Sequence, residues 1–140
     1  MIRIAALALA AALSLAVSGT AADDSLYRDL GGAEGVEKLA NLTTDNFLAD
    51  DRIKHSWDQS DMVRFRKMLA EQFCAVSGGP CTYTGHSMVE AHKGLHLTSA
   101  DFNAVVEDLQ HAMETLGIPF RTQNRFLALL APMHRDIVTR

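Results

Sequence analysis

Past residue 24 the chain alternates between stretches in which apolar residues recur every three or four positions and short breaks rich in Gly, Pro, Asp and Ser. Ser25 to Leu30 reads as a short helix ended by Gly31-Gly32. A longer helix follows from about Ala33 to Ala49, with Val36, Leu39, Ala40, Thr43 and Phe47 on one stripe. Asp50-Asp51 closes it, and Arg52 to Trp57 is a turn or half-helix. Ser60 is the predicted N-cap of the next helix, whose inner side is Met62, Phe65, Met68, Leu69, Gln72, Phe73 and Val76. Gly78-Gly79-Pro80 stops that helix. His86 to Lys93 makes two turns, ended by Gly94. Thr98 to Asp101 opens a helix with the stripe Phe102, Val105, Val106, Leu109, Met113 and Leu116, broken at Gly117-Ile118-Pro119. A last helix is expected from about Arg121 to Val138, with Phe126, Leu129, Leu130, Met133 and Ile137 inward. Strand signals are few, and the fold class expected is all-α.

The first 22 residues follow a different pattern. Met1-Ile2-Arg3 is a short basic start, Ile4 to Val17 is an apolar run, and Ser18 to Ala22 are small residues before Asp23-Asp24. That order is the layout of a secretory leader. The run is shorter than the roughly 20 residues that span a bilayer. The domains expected are therefore a signal peptide, 1–22, and one folded unit, 23–140, exported and periplasmic, with no membrane attachment after cleavage.

Charge narrows the partners. The chain has 13 basic and 17 acidic side chains, and losing Arg3 with the leader makes it more acidic still. No basic run exists, so nucleic acid is not expected as a partner. Cys74 and Cys81 are the two cysteines. Their even number in an exported chain, with Ser77-Gly78-Gly79-Pro80 between them to turn the chain back, favours a disulfide over two reduced thiols. They form no C-x-x-C and no C-x-x-C-H, which excludes a thioredoxin-like motif and c-type haem attachment.

The chemistry concentrates in the segment YTGHSMVEAHKGLH, Tyr83 to His96, which holds His86, His92 and His96. His92 and His96 are four apart and would share a helix face, as a zinc or copper pair requires. Gly94 lies between them and turns His96 elsewhere. A haem asks for one His and apolar side chains on both porphyrin faces. The helices offer Phe47, Phe65, Met68, Leu69, Phe73, Phe102, Val106, Leu109 and Met133 for that purpose. On the residues alone, both readings stay open beside plain core packing.

The chain resembles the group I truncated haemoglobins over nearly all of residues 23–140. "SLYRDLGG" is similar to the family's opening. "FLADDRIKHSW" is similar to the end of its second helix and the corner after it. "GGPCTYTGHSMVEAHKGL" is similar to its second di-glycine, its Tyr-Thr-Gly loop and the segment with the proximal histidine. "LTSADFNAVVEDL" and "LLAPMHRDIV" are similar to its last two helices. The resemblance implies a two-over-two helical sandwich holding haem b, with His92 as the iron ligand and a diatomic gas (O2, NO or CO) as the partner. It places Met88 against the haem, Trp57 or Ser56 at the wedging aromatic, and Phe65 and Leu69 at two positions that often carry polar groups, with Met68 beside them. Thr44 falls where a tyrosine is usual, and Thr43 where a Phe is usual. Phe47, Phe102 and Val106 complete the expected cofactor contacts. It also implies a reductase, of a kind the sequence does not specify, and leaves an enzymatic role unassigned.

The departures have a chemical meaning. Bound O2 carries partial negative charge and is held by hydrogen-bond donors. Here the expected distal residues are apolar apart from the Thr44 hydroxyl, so O2 storage is not expected and NO or CO suits the pocket better. Three other functions remain at this stage. Met68 as a sixth ligand would make an exported electron carrier with His92/Met68 ligation. His92, His96 and His86 would make a zinc or copper module. The fold without haem would be a helical binding domain. Lys54 is a candidate partner for a haem propionate, and His134 a residue that approaches the haem edge.

Overall fold

The computed structural model describes residues 23–139; the predicted leader lies outside them. The elements in order are α1 (Ser25–Asp29), α2 (Gly32–Ala49), a 3₁₀ turn (Lys54–Trp57), α3 (Met62–Val76), α4 (Met88–Ala91), α5 (Ser99–Thr115), α6 (Phe120–Leu130), a second 3₁₀ turn (Ala131–Met133) and α7 (His134–Ile137). No strand occurs among the described residues, as the 3.6-residue periodicity predicts. No helix among them is long and apolar enough to cross a membrane. Helix α2 packs on both α3 and α5, and α5 packs on α6 and α7.

Caps set most of the boundaries. Thr98 opens α5 with a reciprocal capping box, its hydroxyl and backbone exchanging hydrogen bonds with Asp101. Helix α3 differs from expectation by one residue: Asp61, not Ser60, is the cap and accepts from the Arg64 amide at 3.1 Å. A carboxylate is the better acceptor there because it also meets the positive end of the helix dipole. The predicted single last helix is two. Pro132 has no amide hydrogen to continue the ladder, so α6 ends at Leu130 and passes through the 3₁₀ turn to α7. The expected two turns from His86 to Lys93 shrink to one, because Ser87 caps α4 and His92 already follows its last residue.

The main core joins Leu26 of α1 and Leu30 just after it, Val36, Leu39 and Ala40 of α2, Phe73 of α3, Leu109, Ala112 and Met113 of α5, and Phe126 of α6. Phe126 is wholly buried and meets Phe73 edge-on, with ring centroids 5.0 Å apart. Leu129 and Leu116, expected inward, are largely exposed at 47% and 39%. A smaller cluster of Phe47, Ile53 and Ala104 gathers Trp57, Phe65 and Leu69. That second cluster forms one side of the cavity described next.

Two glycines let α1 lie against the end of α3. Gly78 has φ of 87°, and a Cβ there would meet the Asp23 carbonyl at 2.3 Å. A Cβ on Gly79 would lie 2.6 Å from both Cys74 Sγ and the Tyr27 ring. With no side chain at either, the Tyr27 amide reaches the Ser77 carbonyl at 3.1 Å. The Cys74–Cys81 disulfide then ties the last turn of α3 to the following loop, with the two Cα atoms 5.8 Å apart.

Candidate functional site

The cavity has a volume of about 530 Å³ and is lined mostly by apolar side chains. Helices α2 and α3 contribute Thr43, Phe47, Phe65, Met68, Leu69 and Gln72. Their spacing is helical: Thr43 and Phe47 are four apart, as are Phe65 and Leu69, so each pair shares a face. Trp57, on the 3₁₀ turn, stacks on Phe47 at 5.0 Å and meets Phe65 edge-on at 5.9 Å. These three rings fix one another and form a rigid apolar corner. Helix α5 adds Phe102, Val105 and Val106, while Met133 and Ile137 close the far end.

His92 and Met88 come from α4 and the residue after it. The His92 ring nitrogen Nδ1 lies 2.8 Å from the Met88 carbonyl oxygen. A carbonyl only accepts, so Nδ1 carries a proton, and in the neutral ring the lone pair is then on Nε2. That is the state in which an imidazole ligates a metal through Nε2, oriented by its other nitrogen. Met88 is itself positioned: Gln72 Nε2 donates toward its sulfur at 3.2 Å and toward that of Met133 at 3.9 Å.

The loop between the disulfide and α4 forms another part of the wall through Tyr83, Gly85 and His86. It is held from both ends. The Thr84 amide and hydroxyl both donate to Glu71 on α3, at 3.0 and 2.8 Å, and these bonds hold the Glu71 carboxyl below its ordinary range. Tyr83 Oη donates to the His86 carbonyl at 2.8 Å. Burial, and then the charge of Glu71, push the Tyr83 phenol up.

Most of the expected cofactor contacts meet in this one cavity: Phe47, Trp57, Phe65, Met68, Leu69, Met88, His92, Phe102 and Val106 all line it. Thr44 is the correction. It is absent from the wall, and its hydroxyl turns back along α2 to donate to the Ala40 carbonyl at 2.7 Å. Thr43 lines the cavity instead, one residue and about 100° away on the helix. The signal for Thr43 was its four-residue spacing from Phe47. Gln72 and Tyr83 were also missed as site residues, the first because its stripe position reads as core, the second because a loop carries no periodicity.

Other expectations resolve in the same geometry. His96 lies beyond Gly94, with left-handed backbone at φ of 53°, and does not line the cavity with His92. No group of three or more His, Cys, Asp or Glu placed to hold a metal ion occurs among the described residues. Met68 lines the cavity, and the Thr84 hydroxyl approaches its sulfur at 3.9 Å. Lys54 pairs with Asp51. His134 Nε2 lies 3.1 Å from the Ser99 hydroxyl, and its ring sits edge-on to Phe102.

The cavity fits a haem on the chemistry of its residues: one imidazole oriented through Nδ1, aromatic and aliphatic walls, and the exposed cation Arg64 among the lining residues. Comparison with known proteins agrees. Residues 25–139 match the family model for bacterial-like globins. The group 1 truncated haemoglobin of Tetrahymena pyriformis is 30% identical over 114 residues, covering 81% of this chain and 94% of that one. The group 1 truncated haemoglobin of Synechocystis is 34% identical, covering 81% of this chain and 97% of that one. The crystal structure of the Tetrahymena pyriformis protein in its Fe(III) form superposes with a TM-score of 0.80, covering 82% of this chain and 98% of that one. The chain belongs to the bacterial-like globins and, among them, to the group 1 truncated haemoglobins, whose cofactor is haem with its iron.

Proposed function

We propose that the protein is an exported haem globin that binds a diatomic gas, with NO and CO favoured over stored O2. The observation that carries this reading is the Met88 carbonyl accepting from His92 Nδ1 inside an apolar cavity, which leaves Nε2 to ligate. When bound, haem supplies an iron with one position for the gas. The protein's own part is to hold and shield it. Phe47, Trp57 and Phe65 would pack on the porphyrin and exclude water, as would Met88, Phe102 and Val106, all of which line the cavity. Arg64, exposed among the lining residues, is the cation placed for a propionate. Phe65 and Leu69 donate no hydrogen bonds, so a gas that depends on donors is held weakly. Return to the ferrous state needs a reductase.

Export is supported by the leader-like residues 1–22 and by the Cys74–Cys81 disulfide, a bond that persists in oxidising compartments. Cell fractionation tests it: the processed chain, beginning near Asp23, is expected in the periplasmic fraction. Finding it unprocessed in the cytoplasm would reject export.

Optical spectra test the haem reading. The purified protein with haemin is expected to take up one equivalent and to form a ferrous CO adduct readily. His92→Ala is expected to lose tight haem uptake. A six-coordinate ferrous form that disappears only in Met68→Ala would instead make it an electron carrier.

A further inference from the structure

Two neighbouring threonines on α2, Thr43 and Thr44, are each 0% exposed. Thr44 satisfies its hydroxyl on the carbonyl four residues back, at Ala40. Thr43 does not do the same toward Leu39, and its Oγ1 has no hydrogen-bond partner. A buried hydroxyl without a partner is destabilising and uncommon, and it calls for a reason. The two threonines also differ in position: Thr43 lines the cavity and Thr44 does not.

The cavity's other polar groups are engaged or less than fully buried. The Gln72 amide faces the sulfurs of Met88 and Met133. Tyr83 Oη is committed to the His86 carbonyl, and the Asp101 carboxylate to Thr98. Ser56 and Trp57, the latter with an indole N–H, are only half-buried, and the rest, His92 aside, are exposed. Among the described residues, Thr43 is the one fully buried polar side chain on the wall.

We propose that Thr43 Oγ1 is the hydrogen-bond donor that this cavity offers to a bound diatomic gas. This rests on the haem reading and deepens it, because it names a residue that sets the preference among gases. Bound O2 bears more negative charge than bound CO, so one neutral donor holds O2 selectively but modestly. The hydroxyl left without a partner in the protein is the one kept for the ligand.

The test compares the wild type with Thr43→Val, Thr43→Ser and Thr44→Val, each loaded with haem. The readouts are the infrared C–O stretch of the ferrous CO complex and the O2 dissociation rate. Thr43→Val is expected to raise the stretching frequency and to speed O2 loss roughly two- to tenfold, the range of one neutral hydrogen bond. Thr43→Ser keeps the donor and is expected to stay near the wild type. Thr44→Val is expected to change neither. Unaltered stretch and O2 rate in Thr43→Val would overturn the proposal. Melting of the haem-free proteins supplies a readout independent of haem. Thr43→Val is expected to melt at or above the wild type, since it deletes an unpartnered hydroxyl, and Thr44→Val below it. Equal losses in the two would mean that Thr43 is satisfied within the protein, which also overturns the proposal. Failure of the wild type to take up haem would reject the haem reading itself.

Discussion

Asp108 on α5 has Oδ2 buried without a partner. Burial, and then the nearby charge of Asp50, push its carboxyl above the ordinary range. A carboxyl raised in the folded state binds its proton more tightly there than in the unfolded chain. Its penalty is therefore absent below the unfolded value of about 4, grows as pH rises, and is complete above the folded value. Asp108→Asn is expected to raise the melting temperature at pH 7 and to leave it unchanged near pH 3, by calorimetry at the two pH values. Phe126 is the opposite case, wholly buried on Phe73. Phe126→Ala is expected to cost about 3–5 kcal/mol in denaturant unfolding. The sequence announced Phe126 by its spacing, whereas nothing local marks Asp108, which sits in an acidic, surface-like pattern. Thr43 and Thr44 show the same limit. Both suit the inner side of α2, and which one meets the cavity depends on the rotation of the helix.

The helices themselves were legible wherever a strong local signal acts alone. Gly31-Gly32, Gly78-Gly79-Pro80 and the Thr98–Asp101 box each end or begin an element where expected. Errors arose where two signals compete. Ser60 and Asp61 are both capping residues, and the carboxylate took the role. At Pro132 the apolar stripe continues, but the missing amide hydrogen breaks the helix beneath it. Helix α4 is a single turn whose residues gain little from local propensity. Its place depends on the preceding loop, which the disulfide and Glu71 hold. The bond closes a loop with sequence separation 7. Replacing both cysteines by serine is expected to cost about 2–3 kcal/mol of stability. Because Tyr83, His86 and Met88 follow directly, the same variant is expected to release haem faster, as measured by transfer to an excess of apomyoglobin.

At the scale of the whole molecule, the main core is built on α1, α2, α3, α5 and α6, while other faces of α2, α3 and α5 surround about 530 Å³ of cavity. A fold of that shape is more stable with its cofactor than without it. Haemin is expected to raise the melting temperature in a concentration-dependent way, since a ligand that binds only the folded state stabilises it by mass action. The cavity wall also has an acid limit. The Glu71 carboxyl is lowered in the fold by the Thr84 bonds, so its contribution is complete above the unfolded value of about 4 and lost as pH falls through the folded one. The protection factor of the Thr84 amide against exchange is expected to fall as pH drops through the lowered Glu71 range, and to be small at every pH in Glu71→Ala. The overall architecture was readable because it repeats one period along the chain. The cavity was readable in its apolar part for the same reason, and not in the few polar groups whose partners lie far away in sequence.

The acceptor for His92 Nδ1 is a main-chain carbonyl. It is neutral and takes no proton from the ring, so under the haem reading proposed above His92 would meet the iron as a neutral imidazole, without the electron push that a thiolate gives toward O–O cleavage. It also belongs to the peptide backbone, so no exchange of one side chain for another deletes it. Mutation reaches this bond only by moving the turn that carries Met88, and the electronic character of an iron held by His92 would thereby be tied to the conformation of α4.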